Sequence, residues 1–196
     1  MGVWLTVAAV VLGFGAAFVA SRVLMAYRVY RGPRVCACPD DGTPAAVRLY
    51  AWHAALTALR GRPALRVAAC SHWPELEHCD RACLVGIEQA PEASRPRTIL
   101  ARWYERKSCV LCGHSVSEIH TLEHKPCLMA PDGTTIEWGD IPPERLPSAL
   151  ATHAPVCWNC HVAETFRQEH PELVVERPRH EQETPALADG TRQARE

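Results

Sequence analysis

From Met1 to Ser21 no side chain carries a charge, and Val3 to Ala20 is almost wholly apolar. With no polar face, such a stretch is not an ordinary surface helix. It is long enough to cross about 30 Å of hydrocarbon at about 1.5 Å per residue. The basic start of a signal peptide is also missing, so an uncleaved transmembrane helix is expected. Net charge is nearly absent: 21 Lys and Arg stand against 22 Asp and Glu, a formal −1. That balance excludes the electrostatic footprint of a general nucleic-acid binder. Catalytic signatures are lacking too. There is no Gly-rich phosphate loop, no H-E-x-x-H and no nucleophile elbow, so no catalytic residue is assigned and the reading leans away from an enzyme.

What is present is cysteine and proline. The 196 residues include 10 Cys, 16 Pro and 11 Gly, which predicts many turns and a small core that needs metal or disulfide staples. Arg22, Arg28, Arg31 and Arg34 follow the apolar run, and no acid precedes Asp40. The positive-inside rule therefore predicts a single pass through residues 3–21 and a cytosolic C-terminal region. A reducing compartment favours metal ligation over disulfides.

Two C-x-x-C knuckles dominate, Cys109-Val110-Leu111-Cys112 and Cys157-Trp158-Asn159-Cys160. Each spacing aims two thiolates at one ion, and together they supply the four sulfurs of a tetrahedral Zn²⁺ site. Gly113 suits the backbone turn after the first knuckle. His161 follows the second and makes it C-x-x-C-H, the attachment pattern of c-type haem, with His161 as axial ligand. His161 replacing Cys160 at zinc is a lesser variant. Cys38, Cys70, Cys79 and Cys83 form a candidate second site for Zn²⁺ or an iron–sulfur cluster, with Cys36 able to stand in for Cys38. Cys127 is left over and is expected to pack in the core. His114, His120 and His124 are read as exposed or hydrogen-bonded histidines, and Asp40 with Asp41 as a solvated turn.

The expected fold is an N-terminal transmembrane helix followed by a small α+β, metal-stabilised domain, zinc-ribbon-like or treble-clef-like. Residues 1–30 form the helix and its basic flank, and 31–96 a cysteine-containing α+β region. Residues 97–176 form the ribbon-like region and 177–196 a disordered tail. Residues 31–44 read as a turn-rich exit from the helix. Strands are expected at 45–51 and 65–69, and a helix at 53–60 that ends at Gly61. A helix entered at Ser71–Pro74 and running to Gln89 would put Cys79 and Cys83 on one face. A short helix over 98–106 carries the apolar stripe Ile99, Leu100, Trp103 and Tyr104. Pro131-Asp132-Gly133 turns a hairpin. A helical turn opens at Pro147, and a last helix covers 161–169.

The motifs Cys-Pro-x-x-Gly at 38, Cys-Ser-x-Trp-Pro-Glu at 70–75, Cys-x-x-x-Cys at 79–83, Cys-x-x-Cys-Gly at 109–113 and Pro-Val-Cys-Trp-Asn-Cys-His at 155–161 resemble bacterial single-pass membrane proteins of uncharacterised function. The two knuckles resemble zinc ribbons over roughly residues 105–165. The resemblance implies a bacterial inner (plasma) membrane location and a structural Zn²⁺ in a protein-interaction or assembly module. Two rivals stand beside it. One is a membrane-anchored electron carrier with haem c at Cys157, Cys160 and His161, or with an iron–sulfur cluster. The other is a thiol redox enzyme built on one C-x-x-C.

Overall fold

The computed structural model describes residues 2–116 and 125–174. Helix α1 (Gly2–Tyr30) is 29 residues long and uncharged on all sides up to Arg22, and of its residues only Tyr30 is buried. It is long and apolar enough to cross a membrane. Its last turn is held from outside. Arg34 donates to the Pro91 and Val29 carbonyls, and Arg95 donates to those of Arg28 and Val29, the latter at 2.8 Å. Guanidinium groups at this end satisfy carbonyls that no further helical turn reaches and complement the helix dipole. Tyr27 stacks on Trp52 with ring centroids 4.4 Å apart.

Gly32, at φ 85°, turns the chain from α1 into an antiparallel sheet of order β1-β2-β3 (Pro33–Ala37, Pro44–Leu49, Val67–Cys70). Helix α2 (Ala51–Thr57) follows β2, continues as a 3-10 turn over Ala58–Arg60 and stops at Gly61, φ 123°. Val47, Leu49 and Val67 pack with Tyr30, Ala54 and Ile87 of α3 (Cys83–Gln89) in a first core. The expected exit loop thus contains a strand, β1. Residues Arg34 and Val35 are buried there, and the edge strand pairs Val35 with Ala46.

The expected helix from Pro74 to Gln89 is a correction. Residues 71–78 form successive turns, and α3 begins only at Cys83. Asp80 accepts the Ala82 N–H through its side chain at 2.9 Å, and Arg81 sits at φ 59°. This local side-chain bond competes with the helical ladder and restarts the chain, so Cys79 and Cys83 do not share a helix face.

The second half is built on α4 (Pro96–Tyr104), which Pro96 opens. Its Leu100 and Tyr104 pack on Leu128, Ile141, Leu146 and Leu150, with Ile99 and Trp103 at the margin as the stripe predicts. A second antiparallel sheet has the order β5-β4-β6 (Thr135–Glu137, Cys127–Met129, Ala154–Val156). Gly133 closes the predicted hairpin at φ 88°, and Asp132 accepts the Thr134 N–H at 3.0 Å. Helix α5 (Leu146–Thr152) leads into β6, and α6 (Trp158–Glu169) ends the described chain. Strand β6 was not anticipated. It contains Pro155, which a strand tolerates only at a sheet edge, where β6 lies. The expected tail at 177–196, with His120 and His124, lies outside the described residues.

Candidate metal centre

The site is assembled from two backbone turns and one strand. In the first knuckle the Cys109 N–H donates to the His114 carbonyl at 2.8 Å, and the Gly113 N–H returns to Cys109 O at 2.8 Å. Gly113 holds φ 73°, which closes the turn. The Val110 N–H then donates to Pro155 O at 3.0 Å and lashes this turn to β6. Strand β6 delivers Cys157 directly. Cys157 is the residue before α6, and its carbonyl accepts the His161 N–H at 3.0 Å. Cys160 sits in the first turn of that helix, which starts at Trp158 rather than at His161.

The result is convergence. The sulfurs of Cys109, Cys112, Cys157 and Cys160 all lie within 4.8 Å of one another, and Cys112 and Cys157 are 3.7 Å apart. Four sulfurs at about 2.3 Å from a tetrahedral ion are separated by about 3.8 Å, so the donor set and its spacing fit one metal ion. Cys109 is buried, Cys112 exposed, and Cys157 and Cys160 are half-buried. Behind them, fully buried Cys127 and Val156 form an apolar floor with Cys109.

Thiol acidities follow the geometry. Burial acts to raise Cys109, but backbone N–H groups of Cys157, Cys112 and Leu111 aim at its sulfur and bring it down to about 7. Cys157 and Cys160 are pushed up, first by burial, and for Cys160 then by hydrogen bonding to neighbouring thiols. Four thiolates packed this closely repel, and a bound metal cation would supply the counter-charge for all four to deprotonate. Cys127 rises to about 12, chiefly through burial, which suits the packing role expected of it. The His161 Nδ1 lies 2.9 Å from Thr135 Oγ1, and its ring is tilted against Trp158.

The first-half cysteines are arranged differently. Cys38 opens a turn closed by its own N–H to Thr43 O at 2.8 Å. Its sulfur groups with Asp41 and His72, their ligand atoms again within 4.8 Å of one another. His72 Nδ1 lies 3.6 Å from Asp41 Oδ2, and its Nε2 lies 3.3 Å from Thr43 Oγ1. The Thr43 N–H holds the Asp41 carboxyl below its ordinary value. Among the described residues, Cys70, Cys79 and Cys83 belong to no such ligand group. Cys83 instead accepts a hydrogen bond from Cys36, which brings its thiol down to about 7 against the effect of burial. Cys36 is correspondingly raised, and Cys70 is raised by burial. Sequence reasoning passed over Asp41 and His72 as partners of Cys38. Only Cys38-x-x-Asp41 is a local spacing; His72 comes from 31 residues beyond Asp41 and carries no pattern that ties it to them. A comparison with protein-family models, curated proteins and solved structures finds no match to this chain.

Proposed function

We propose that this chain is a membrane-anchored metal protein in which Cys109, Cys112, Cys157 and Cys160 hold one structural Zn²⁺ and the surrounding domain serves as a docking or assembly module for a protein partner. The observation that carries the reading is the convergence of all four thiols within 4.8 Å. An all-thiolate tetrahedral set suits zinc, with iron–sulfur ligation the nearest rival chemistry. Four protein ligands fill the coordination sphere and leave no position for substrate, so the ion shapes the fold and does no chemistry. Both thiols of the C-x-x-C-H stretch face the other knuckle, which favours a shared ion over covalent haem. Exposed apolar side chains around the site support a partner surface: Val110 and Leu111 on the first knuckle, and Val162 and Phe166 on one face of α6. The four arginines after the apolar run favour a cytosolic location for the domain.

Metal analysis with an absorption spectrum on purified full-length protein tests the core claim. Zinc bound through Cys109, Cys112, Cys157 and Cys160, with no visible bands, is the expected result. A sharp haem band or broad brown iron–sulfur absorption overturns it. A topology reporter fused after Glu196 tests orientation, and an extracytoplasmic C-terminus refutes the cytosolic placement.

A further inference from the structure

A cavity of about 550 Å³ opens where α1 ends and α4 begins. Its walls include Arg28, Arg31, Arg95 and Arg97, with Trp138 and Leu146 on an apolar side, and no Asp or Glu lines it. Arg95 is committed elsewhere, to Glu92 at 2.9 Å and to the last carbonyls of α1. Arg28, Arg31 and Arg97 are exposed and have no ion-pair partner among the described residues. Three unpaired guanidiniums around one concavity, contributed by segments far apart in sequence, form an anion site with bidentate donors.

A second cavity adds a direction. It has a volume of about 420 Å³, shares Arg28 and Arg95 with the first, and runs along α1 past Ser21, Leu24 and Met25. Glu92, the partner of Arg95, is the acid on its wall. The two cavities therefore read as a basic chamber that continues into an apolar groove descending toward the uncharged span. An amphiphile with an anionic head and hydrocarbon tails has this shape. Height agrees as well. Arg28 lies seven residues beyond Ser21, about 10 Å along the axis, near the outer edge of a headgroup layer.

We propose that this pocket binds the phosphate headgroup of an anionic phospholipid from the surrounding leaflet. The guanidiniums of Arg28, Arg31 and Arg97 clasp the phosphate, while Leu24 and Met25 flank the acyl chains. This rests on α1 being a membrane anchor, and the test separates the two ideas.

Full-length protein in detergent is titrated with phosphatidylglycerol, phosphatidylcholine or inorganic phosphate, and adducts are counted by native mass spectrometry. Alkaline extraction of the membrane-expressed chain is scored alongside. Saturable phosphatidylglycerol binding that exceeds phosphatidylcholine binding is expected. It falls about tenfold or more when Arg28, Arg31 and Arg97 are all changed to Gln. A charge-matched control, R60Q/R62Q/R66Q, alters exposed arginines away from the pocket and keeps the preference. Circular dichroism and a melting transition matching those of the unaltered protein report that each variant is folded. Equal binding of the two lipids, or the same loss in the control variant, overturns the proposal. Displacement of the lipid by inorganic phosphate also overturns it and assigns the pocket to a soluble phosphate compound. A chain that resists extraction yet shows no lipid preference refutes the pocket alone, whereas a chain that is extracted refutes the anchor and the pocket together.

Discussion

The two halves of this protein use cysteine in opposite ways. In the second half, four thiols meet because each pair is confined within a hydrogen-bonded turn and the turns are tied together by Val110 and Pro155. In the first half, five cysteines are spread over a strand, two turns, a strand end and a helix start. Their contacts are pairwise and mixed: Cys36 with Cys83, and Cys38 with Asp41 and His72. The difference teaches that C-x-x-C is nearly sufficient geometry by itself. A four-residue spacing converges only if the helix beneath it forms, and between Cys79 and Cys83 it does not.

The largest expected effect breaks the comparison open. Removing metal with a chelator, or making Cys109→Ser, should unfold the second half. Structural zinc contributes on the order of 10 kcal/mol to such regions. Hydrogen exchange should show protection lost across β4, β5 and β6 while β1, β2 and β3 keep theirs, and equal loss in both sheets would refute the division. Next comes Ile87→Ala, which empties the first core where Ile87 is fully buried and should cost about 3 kcal/mol in chemical denaturation. Bound metal should be unchanged. Tyr104→Phe is smaller, about 1 kcal/mol, because it removes the hydrogen bond that the phenol donates to the Cys127 carbonyl within the second core.

Acidity supplies a finer contrast. Cys83 has its thiol lowered to about 7, so its thiolate is half-formed near neutrality and disappears as pH falls below that value. Iodoacetamide labelling of Cys83 should therefore rise through pH 7. Cys36→Ala removes the leading cause of the depression and should move that rise to higher pH, as mass spectrometry of labelled peptides will show. An unshifted profile would sink the assigned hydrogen bond. The smallest effect is expected from Cys79→Ser, which should leave metal content and melting temperature unaltered, since Cys79 joins no ligand group among the described residues.

Much of this arrangement was legible in the residues. The knuckles, the apolar helix, the Pro131-Asp132-Gly133 hairpin and the Leu100–Tyr104 stripe depend on local spacing, and local spacing is what a sequence displays. The failures are equally local in cause. Strand β1 hides in a segment rich in Gly, Pro and Arg, because its Arg34 is buried to hold the end of α1. Strand β6 is three residues with a proline in the middle, and only its pairing with Cys127, Leu128 and Met129 of β4 makes it a strand. The helix expected after Pro74 was defeated by one carboxylate, Asp80, bonding to a nearby N–H. The ligand grouping around Cys38 depends on β2 and β3 pairing, which brings the turn holding Asp41 and the turn holding His72 together from separate parts of the chain. No short-range pattern encodes that meeting.

The grip of Arg34 and Arg95 on the end of α1 has a mechanical meaning. Only Arg31 and Gly32 separate the helix from β1, and both guanidiniums clamp across that junction. Were α1 in a bilayer, the domain would have no slack: it would neither swing on a tether nor sample solvent far from the surface. Its working radius would be about one domain diameter, within about 40 Å of the lipid surface. A partner of the kind proposed would then have to come to the membrane or already reside there, and their encounter would become a search in two dimensions at high local concentration.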